Sequence, residues 1–314
     1  MLALVLLLAA LLLAGAALCF WSDALLREAL AGRQAQKTVG ADYVSSFALS
    51  AEESFHQTQP RISGWLNLVS SQEVITESPR GTLSSAMYTP FDARGSAPWA
   101  LVLHGGLGTD REQVLDVACE LSLKGYYVVA PDLYGHGQSE GKTASLGLAD
   151  SQDVHAWIGW ILRQQSDARI VIFGQDEGAV AALLAASEGL DAHVAAVAVD
   201  SAYDDGLSRV LDVAGFEKKT PQGALIALGL WRAGAKETKV SAVIERVQIP
   251  LLLIHGTGDQ IVPAWQSEDI ALAAQGNAQL LFIEGAGHGQ SRYVDRETYY
   301  HTMMGFFESA LNGK

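Results

Sequence analysis

The chain has 314 residues, of which 49% are hydrophobic and 18% charged, and its formal net charge is −14. This composition supports a sizeable buried core and excludes a disordered tail. The negative charge and the lack of a Lys and Arg cluster argue against nucleic acid as a partner, because phosphate binding needs clustered cations. The two cysteines, Cys19 and Cys119, lie far apart, which excludes a disulfide framework and a Cys-x-x-Cys metal site.

The N-terminal segment, residues 1–21, contains no charged side chain and consists mostly of Leu and Ala. As a helix it would span roughly 30 Å, the thickness of the hydrocarbon core of a bilayer. Phe20 and Trp21 stand where an aromatic belt meets the lipid headgroups, and Asp23 follows them. The segment therefore predicts a retained, single-pass anchor that contacts the lipid bilayer through residues 1–21.

Two other interpretations of this segment remain open. A secretory signal peptide would have a Lys or Arg before the apolar run and a shorter apolar run. A lipoprotein would use Cys19, but Leu18 before it is larger than the small residue that such processing prefers. The basic residues near the span all follow it, so the positive-inside rule favours a soluble domain on the cytoplasmic side. This inference rests on three residues, Arg27, Arg33 and Lys37.

Changes in composition along the chain predict three parts. Residues 1–22 form the anchor, residues 23–60 a juxtamembrane helix and linker, and residues 61–314 one domain of a size common for α/β folds. Four apolar residues after the span have helical spacing, so we expect that helix to lie against its own domain rather than on a partner: Leu25, Leu26, Ala29 and Leu30.

After residue 60, short apolar runs alternate with helix-like stretches. Near-continuous hydrophobic runs of this kind are typical of a parallel sheet covered by helices on both faces. The sequence therefore predicts an α/β fold with a doubly wound, mostly parallel sheet. An antiparallel hairpin at residues 73–76 and 82–89 and a closing helix at residues 295–311 complete it. The predicted strands are residues 99–104, 127–131, 169–173, 194–199, 251–254 and 279–283.

Turns rich in glycine and polar residues follow five of these strands, at the sheet edge where ligands bind in such folds. They are residues 104–108 (His-Gly-Gly-Leu-Gly), 131–139, 174–178 (Gly-Gln-Asp-Glu-Gly), 255–259 and 284–289. With these turns in this order, residues 80–312 resemble the α/β-hydrolase family, and within it the serine aminopeptidase-like and bacterial esterase-like members. The family's order of nucleophile, acid and histidine is kept.

The resemblance assigns a role to each candidate site residue. It implies Asp176 at the nucleophile position of the elbow, Asp259 as the acid and His288 as the base. The expected oxyanion-hole donors are backbone N–H groups, one from Glu177 and one from Gly106 or Leu107. The resemblance implies no cofactor, and the eight histidines show no metal-ligand spacing.

An Asp at the nucleophile position changes the chemistry. A carboxylate that attacks an ester gives a mixed anhydride, whereas attack on a saturated carbon gives an alkyl-enzyme ester that His288 and water cleave. The family's epoxide hydrolases and haloalkane dehalogenases look like this. Their supporting residues are less evident here: Glu177 replaces the usual Trp, Tyr203 is the lid's single tyrosine, and the first turn reads His-Gly-Gly-Leu rather than His-Gly-x-Pro.

Glu177 leaves a question open, because two adjacent acids repel each other and one of them then takes up a proton near neutral pH. In one alternative Asp176 is protonated and cannot act as a nucleophile. In the other, the side chain of Glu177 points to solvent. Neighbouring serines do not replace the nucleophile, since Ser139 lies in a fold-supporting turn and Ser201 follows a different strand.

Two functions follow from these observations. The first is a membrane-anchored hydrolase of a small apolar substrate, ester- or epoxide-like, with an Asp-His-Asp triad. The second is an inactive descendant of a serine hydrolase that serves as an anchored subunit or binding module of a membrane complex. The lid, about residues 202–247, carries apolar residues at helical spacing. They either line an apolar pocket or pack as two helices on the sheet.

Overall fold

The computed structural model describes residues 2–30, 49–92, 97–106 and 109–313. The strands in chain order are β1, Ser70–Ser78; β2, Gly81–Thr89; β3, Trp99–Leu103; β4, Tyr127–Pro131; β5, Ile170–Gln175; β6, Val194–Asp200; β7, Leu251–Gly256; and β8, Ala278–Ile283. The helices are α1, Leu2–Ala29; α2, Leu49–Leu66; α3, Leu115–Leu123; α4, Ser151–Gln164; α5, Glu177–Glu188; α6, Gly206–Ala214; α7, Pro221–Arg232; α8, Trp265–Ala273; α9, Ser291–Val294; and α10, Arg296–Leu311.

These eight strands form one sheet in the order β1-β2-β4-β3-β5-β6-β7-β8. Strands β1 and β2 are antiparallel to each other and β2 is antiparallel to β4, whereas the other pairs are parallel. The predicted mostly parallel sheet with a hairpin at one edge is therefore confirmed. Every residue of β3, β5 and β7 is buried, because helices cover both faces of the sheet.

Apolar side chains on the two faces of the sheet belong to separate clusters. One cluster joins one face to α4, α5 and the segment between β6 and β7, and includes Trp157, Ile172 and Leu183. The other joins the opposite face to α2, α3 and α10, and includes Phe173 and Phe307. Alternate residues of β5 point to opposite faces, as the strand period requires. This two-layer packing fixes the strand ends that carry the candidate site.

Helix α1 is the candidate membrane element. Over Ala10–Ala29 it is long and apolar enough to cross a bilayer, a test that a signal sequence also passes. Between residues 10 and 21 its side chains are mostly exposed, among them Leu12 and Trp21, whereas Leu26 and Leu30 are buried. Of the basic residues that the orientation prediction used, Arg33 and Lys37 lie outside the described residues.

The end of α1 packs against the lid helix α7. At the crossing, a Cβ atom added to Gly229 would lie 2.9 Å from the Ser22 carbonyl oxygen, so the glycine permits this close approach. Arg232 of α7 forms a two-pronged ion pair with Asp23 of α1, with N–O distances of 3.0 and 3.1 Å. The expected contact between this helix and its own domain is therefore present, and its partner is the lid.

The lid segment between β6 and β7 contains α6, α7 and the 3₁₀ turns Val240–Ala242 and Ile244–Arg246. Its buried apolar side chains join the same cluster as β5 and β6, so they pack as helices on the core: Val210, Leu211, Ile226 and Leu230. Helix α2 begins at Leu49, contains Pro60 and runs to Leu66. It thus crosses the predicted boundary at residue 60, and the three-part division of the chain stays a prediction.

Candidate active site

Three turns at one edge of the sheet bring the predicted triad residues together. Asp176 follows β5, Asp259 follows β7 and His288 follows β8, and the carboxyl ends of these parallel strands share that edge. His288 Nδ1 lies 2.7 Å from Asp259 Oδ2, and His288 Nε2 lies 3.5 Å from Asp176 Oδ1. The imidazole of His288 is therefore held between two carboxylates.

The elbow that carries Asp176 is strained. Asp176 has φ 48° and ψ −107°, a backbone conformation that costs a non-glycine residue of the order of 1–3 kcal/mol. Neighbouring glycines make the turn sterically feasible: a Cβ at Gly105 would lie 2.6 Å from the Cβ of Asp176, and one at Gly174 would lie 2.6 Å from the carbonyl carbon of Gly178. The Asp176 N–H donates to the Asp200 carbonyl at 3.0 Å. Such a turn presents one side chain at the end of the strand.

Asp259 is held in place by several donors. Its Oδ1 accepts hydrogen bonds from the N–H groups of Ile261 and Val262, at 2.9 and 2.8 Å. Its Oδ2, besides facing His288, lies 3.2 Å from His255 Nε2. Burial would raise the pKa of Asp259, but the hydrogen bonds from His255 and His288 outweigh it and lower the pKa. Asp259 is therefore ionised and can orient His288.

The charge states of the pair Asp176 and His288 follow from their mutual contact. Burial would lower the pKa of His288, but the charges of Asp176 and Asp259 and the hydrogen bond to Asp259 raise it to about 10. Burial would likewise raise the pKa of Asp176, yet His288 outweighs this and lowers it. At neutral pH the site therefore holds an Asp176 carboxylate against a protonated His288.

Of the two adjacent acids, Glu177 is the one that is protonated. Its side chain is fully buried, not directed to solvent, and Oε2 lies 3.5 Å from His136 Nε2. Burial, followed by the negative charge of Asp176, raises the pKa of Glu177 well above its usual value. Neither alternative that the sequence left open is found: Glu177 does not point to solvent, and the raised pKa belongs to Glu177, whereas the pKa of Asp176 is lowered.

The predicted oxyanion-hole residues lie on the same edge of the sheet. Glu177 is the first residue of α5, where backbone N–H groups have no partner within the helix. Gly106 follows β3 with φ 84°, and its carbonyl accepts from the Thr109 hydroxyl at 2.8 Å. The third candidate, Leu107, lies outside the described residues. The role of these N–H groups stays a prediction.

Two residues to which the sequence assigned no role at the site hold the loop of His288. Ser201, at φ 56°, accepts a hydrogen bond from the Gly289 N–H at 3.0 Å. Arg292 is buried and donates to Gln175 Oε1 at 2.9 Å and to the Gly289 carbonyl at 3.3 Å. These contacts connect the end of β5 to the His288 loop. No sequence signal could have found them, because each joins positions far apart in the chain.

The sequence also missed Arg209 and His136, which lie near Glu177. These three residues form what we call the lid side of the site. Arg209 reaches in from α6, and its charge bears on the pKa values of both Asp176 and Glu177. His136 comes from the turn after β4. Seven buried side-chain N and O atoms lack a hydrogen-bond partner in the described part of the chain, and five of them belong to this cluster. These five are His136 Nε2, Asp176 Oδ1, Glu177 Oε1, Glu177 Oε2 and Arg209 Nε.

Within the described ranges, no group of His, Cys, Asp and Glu side chains is arranged to hold a metal ion. The titratable side chains that meet at this edge of the sheet carry carboxyl and imidazole groups. These groups are a carboxylate, an imidazole that carries or accepts a proton, and a neutral carboxylic acid.

Comparison of the sequence with known proteins finds a matching family model and several similar proteins. A family model described as "alpha/beta hydrolase fold" matches residues 98–224. Uncharacterized protein YqkD of Bacillus subtilis is 30% identical over 197 residues, which cover 59% of this chain and 63% of that protein. An uncharacterized protein of Mycobacterium tuberculosis is 29% identical over 254 residues, which cover 79% of this chain and 83% of that protein.

Among solved structures, the chain is similar to the esterase Pf2001 of Pyrococcus furiosus. The TM-score is 0.62 at 22% sequence identity, and the match covers 80% of this chain and 95% of the esterase. A likeness at this identity shows a shared fold. Together with the family match it supports a hydrolase, and the substrate is a separate question.

Proposed function

Because this chain has the α/β-hydrolase fold, we propose that it is a membrane-anchored hydrolase in which Asp176, His288 and Asp259 act as a triad on a small apolar substrate. The observation that carries the proposal is the position of the imidazole. His288 Nδ1 lies 2.7 Å from Asp259 and Nε2 3.5 Å from Asp176, which stands on a strained elbow. A nucleophile, a base and an orienting acid require this order of contacts.

The first chemical step is attack by the Asp176 carboxylate on a saturated carbon. An Asp176 O–C bond forms, the leaving group departs with the bonding electrons, and an alkyl-enzyme ester remains. Because His288 lowers the pKa of Asp176, the nucleophile is ionised at neutral pH. This step suits an epoxide-like or alkyl-ester-like substrate better than attack on an acyl carbon, which would give a mixed anhydride.

The second step is hydrolysis of the alkyl-enzyme ester. Alkylation removes the negative charge of Asp176, which is a main reason why the pKa of His288 is raised, so His288 then gives up its extra proton. Neutral His288, oriented by Asp259, takes a proton from water that attacks the ester carbonyl of Asp176. The N–H groups of Glu177 and Gly106 are the proposed donors to the oxyanion.

The membrane anchor is supported by α1. Over Ala10–Ala29 this helix is long and apolar enough to cross a bilayer, and its last turns pack on the lid. An enzyme held in this way works next to the bilayer, where apolar substrates accumulate. The soluble domain is proposed to lie on the cytoplasmic side, on the three basic residues named above.

Replacement of the nucleophile tests the frame. In the full-length chain in detergent, Asp176→Ser should create a Ser-His-Asp arrangement that hydrolyses p-nitrophenyl acetate with a burst. Wild type, the double variant Asp176→Ser with His288→Ala, and the matched surface variant Asp167→Ser should show no burst. In parallel, wild type and His288→Gln are incubated with an epoxide and with a bromoalkane. Mass spectrometry should find the adduct on Asp176, and it should persist in His288→Gln.

One observation favours the second candidate, an inactive anchored subunit or binding module of a membrane complex. Asp176 exposes 4% of its surface and is already paired with His288, so the pair could serve as a buried structural contact. A folded Asp176→Ser variant without a burst, together with no adduct on wild-type Asp176, would favour that function over hydrolysis.

A further inference from the structure

Opening a cyclic ether needs an acid as well as a nucleophile. When the C–O bond breaks, the oxygen becomes an alkoxide unless a nearby group gives it a proton. Tyr203, at the edge of the lid, does not fill this role, because its hydroxyl is donated to the carbonyl of Leu146. A protonated group on the lid side of Asp176 is therefore required.

Glu177 has the position and the surroundings of such an acid. It follows Asp176 directly, is fully buried, and neither of its carboxyl oxygens accepts a hydrogen bond from the described residues. A buried carboxyl group without donors favours its neutral form, because nothing compensates the loss of water around the charge. We propose that Glu177 gives its proton to the leaving oxygen, which makes strained cyclic ethers, the epoxides, the substrate class of this site.

The charged and titratable groups around Glu177 support its neutral form. Asp176 and Asp150 are anions that raise its pKa, and Arg209 from the lid is a cation that lowers it by less. His136 lies 3.5 Å away, but burial lowers the pKa of His136, so that its imidazole is neutral at pH 7. Burial and two anions thus outweigh one cation, and the proton stays on Glu177.

The same arrangement times the transfer of the proton. As Asp176 forms its bond to carbon, it loses the negative charge that helps to raise the pKa of Glu177. Glu177 therefore becomes a stronger acid as the C–O bond breaks and the oxygen becomes more basic. The nucleophile and the acid are adjacent in the chain, so one event switches both.

The steps balance. Asp176 O–C forms, the ring C–O bond breaks, and the ring oxygen takes the proton of Glu177. His288, no longer facing an anion, releases its extra proton, and Glu177 regains one. Water then hydrolyses the ester on Asp176 with His288 as the base, and the product is a 1,2-diol. Asp176 and His288 return to their ionised pair, with one water consumed.

This proposal rests on the proposed function and has its own test. The full-length chain reacts in single turnovers with 1,2-epoxyoctane and with 1-bromooctane, and adduct formation on Asp176 is followed by mass spectrometry. Bromide leaves without a proton, whereas the epoxide oxygen needs one. We expect Glu177→Gln to lower the ratio of epoxide to bromide alkylation rates by about 100-fold or more. Glu188→Gln, at the far end of α5 and partly exposed, should keep the wild-type ratio.

Each result decides. An unchanged ratio in Glu177→Gln, or a wild type that takes the bromide but not the epoxide, overturns the role of Glu177 and leaves the nucleophile Asp176 standing. If neither compound alkylates wild-type Asp176, the proposed function fails and this proposal with it. Infrared difference spectra give a second readout that needs no activity. Wild type should show the carbonyl band of a buried carboxylic acid that Glu177→Gln lacks, and its absence from wild type overturns the proposal.

Discussion

The candidate site has two sides that differ in how their polar groups are satisfied. On the partnered side, Asp259 has contacts at both carboxylate oxygens, and His288 lies between two carboxylates. On the lid side, buried polar atoms of Glu177, His136 and Arg209 have no hydrogen-bond partner in the described chain. Apart from Asp176 Oδ1, the polar atoms of the first side thus have partners within the described chain, whereas those of the second side can be satisfied by water or substrate.

Charge follows the same division. The partnered side holds one cation, His288, between the anions Asp176 and Asp259, and this raises the pKa of His288 to about 10. The lid side holds neutral Glu177 and neutral His136 under a single cation, Arg209. A site with a fixed ion pair on one side and a neutral acid on the other can attack a carbon and protonate a leaving group in the same event.

The largest effect is expected from a substitution that removes a charge from the partnered side. Asp259→Asn removes the charge that orients and stabilises the imidazole of His288, and loss of the corresponding residue in a triad costs about 10⁴-fold in turnover. We expect the loss in hydrolysis of the adduct, so that alkylated Asp176 accumulates in the steady state and is seen by mass spectrometry. Asp167→Asn, on the surface, should behave as wild type. A variant that loses turnover without accumulating the adduct would contradict this division of roles.

The next effect is a dependence of stability on pH that the partnered side alone should produce. The folded-state pKa of His288, about 10, lies above its unfolded value near 6.5, so its stabilisation is complete below about pH 6.5 and is lost as the pH rises through about 10. At about 1.4 kcal/mol per pKa unit, the free energy of unfolding should fall by about 5 kcal/mol from this group.

Urea denaturation at pH values from 6 to 11 measures this loss, with His288→Gln as the comparison. The difference in unfolding free energy between wild type and His288→Gln should shrink as the pH rises. The folded-state pKa of Glu177 is also raised, so its ionisation should likewise lower the free energy of unfolding as the pH rises. The variant Glu177→Gln removes that contribution separately. A difference between wild type and His288→Gln that stays constant with pH would mean that the imidazole is not held as a cation.

The fold and the partnered side could largely be predicted from the sequence. The strands are read from continuous apolar runs such as residues 251–254, and those runs are buried on both faces as expected. The order of the turns identified Asp176, Asp259 and His288, and the structure brings these three side chains together. Strand ends at one edge of a parallel sheet meet because of topology, which a sequence pattern records.

The lid side could not be predicted, because it depends on burial and on distant partners. The sequence allowed Glu177 to face solvent, and only the packing of His136 and Arg209 around it determines that it is neutral. The spacing of Leu26 and Leu30 predicted a contact of α1 with its own domain, but nothing in the sequence indicated Gly229 as the crossing point. Side chains that meet from separate elements leave no local pattern.

The smallest expected effect concerns the support of the lid by α1. A Cβ at Gly229 would lie 2.9 Å from the Ser22 carbonyl oxygen and 3.2 Å from the Leu26 Cβ, so Gly229→Ala pushes the two helices apart. Such overpacking costs about 1–3 kcal/mol, whereas Ala in a helix gains about 1 kcal/mol over Gly. Gly305→Ala in α10 is the matched control, because a Cβ there meets nothing within 4 Å and only the gain applies.

Thermal unfolding of the full-length chain should therefore rank Gly305→Ala above wild type, and wild type at or above Gly229→Ala. The gap between the two variants measures how firmly α1 holds the lid, since both share the same gain in helix propensity. If Gly229→Ala is stabilised as much as Gly305→Ala, the crossing is loose and α1 does not support the lid side. The lid side of the site would then be enclosed by α6 and α7 without support from α1.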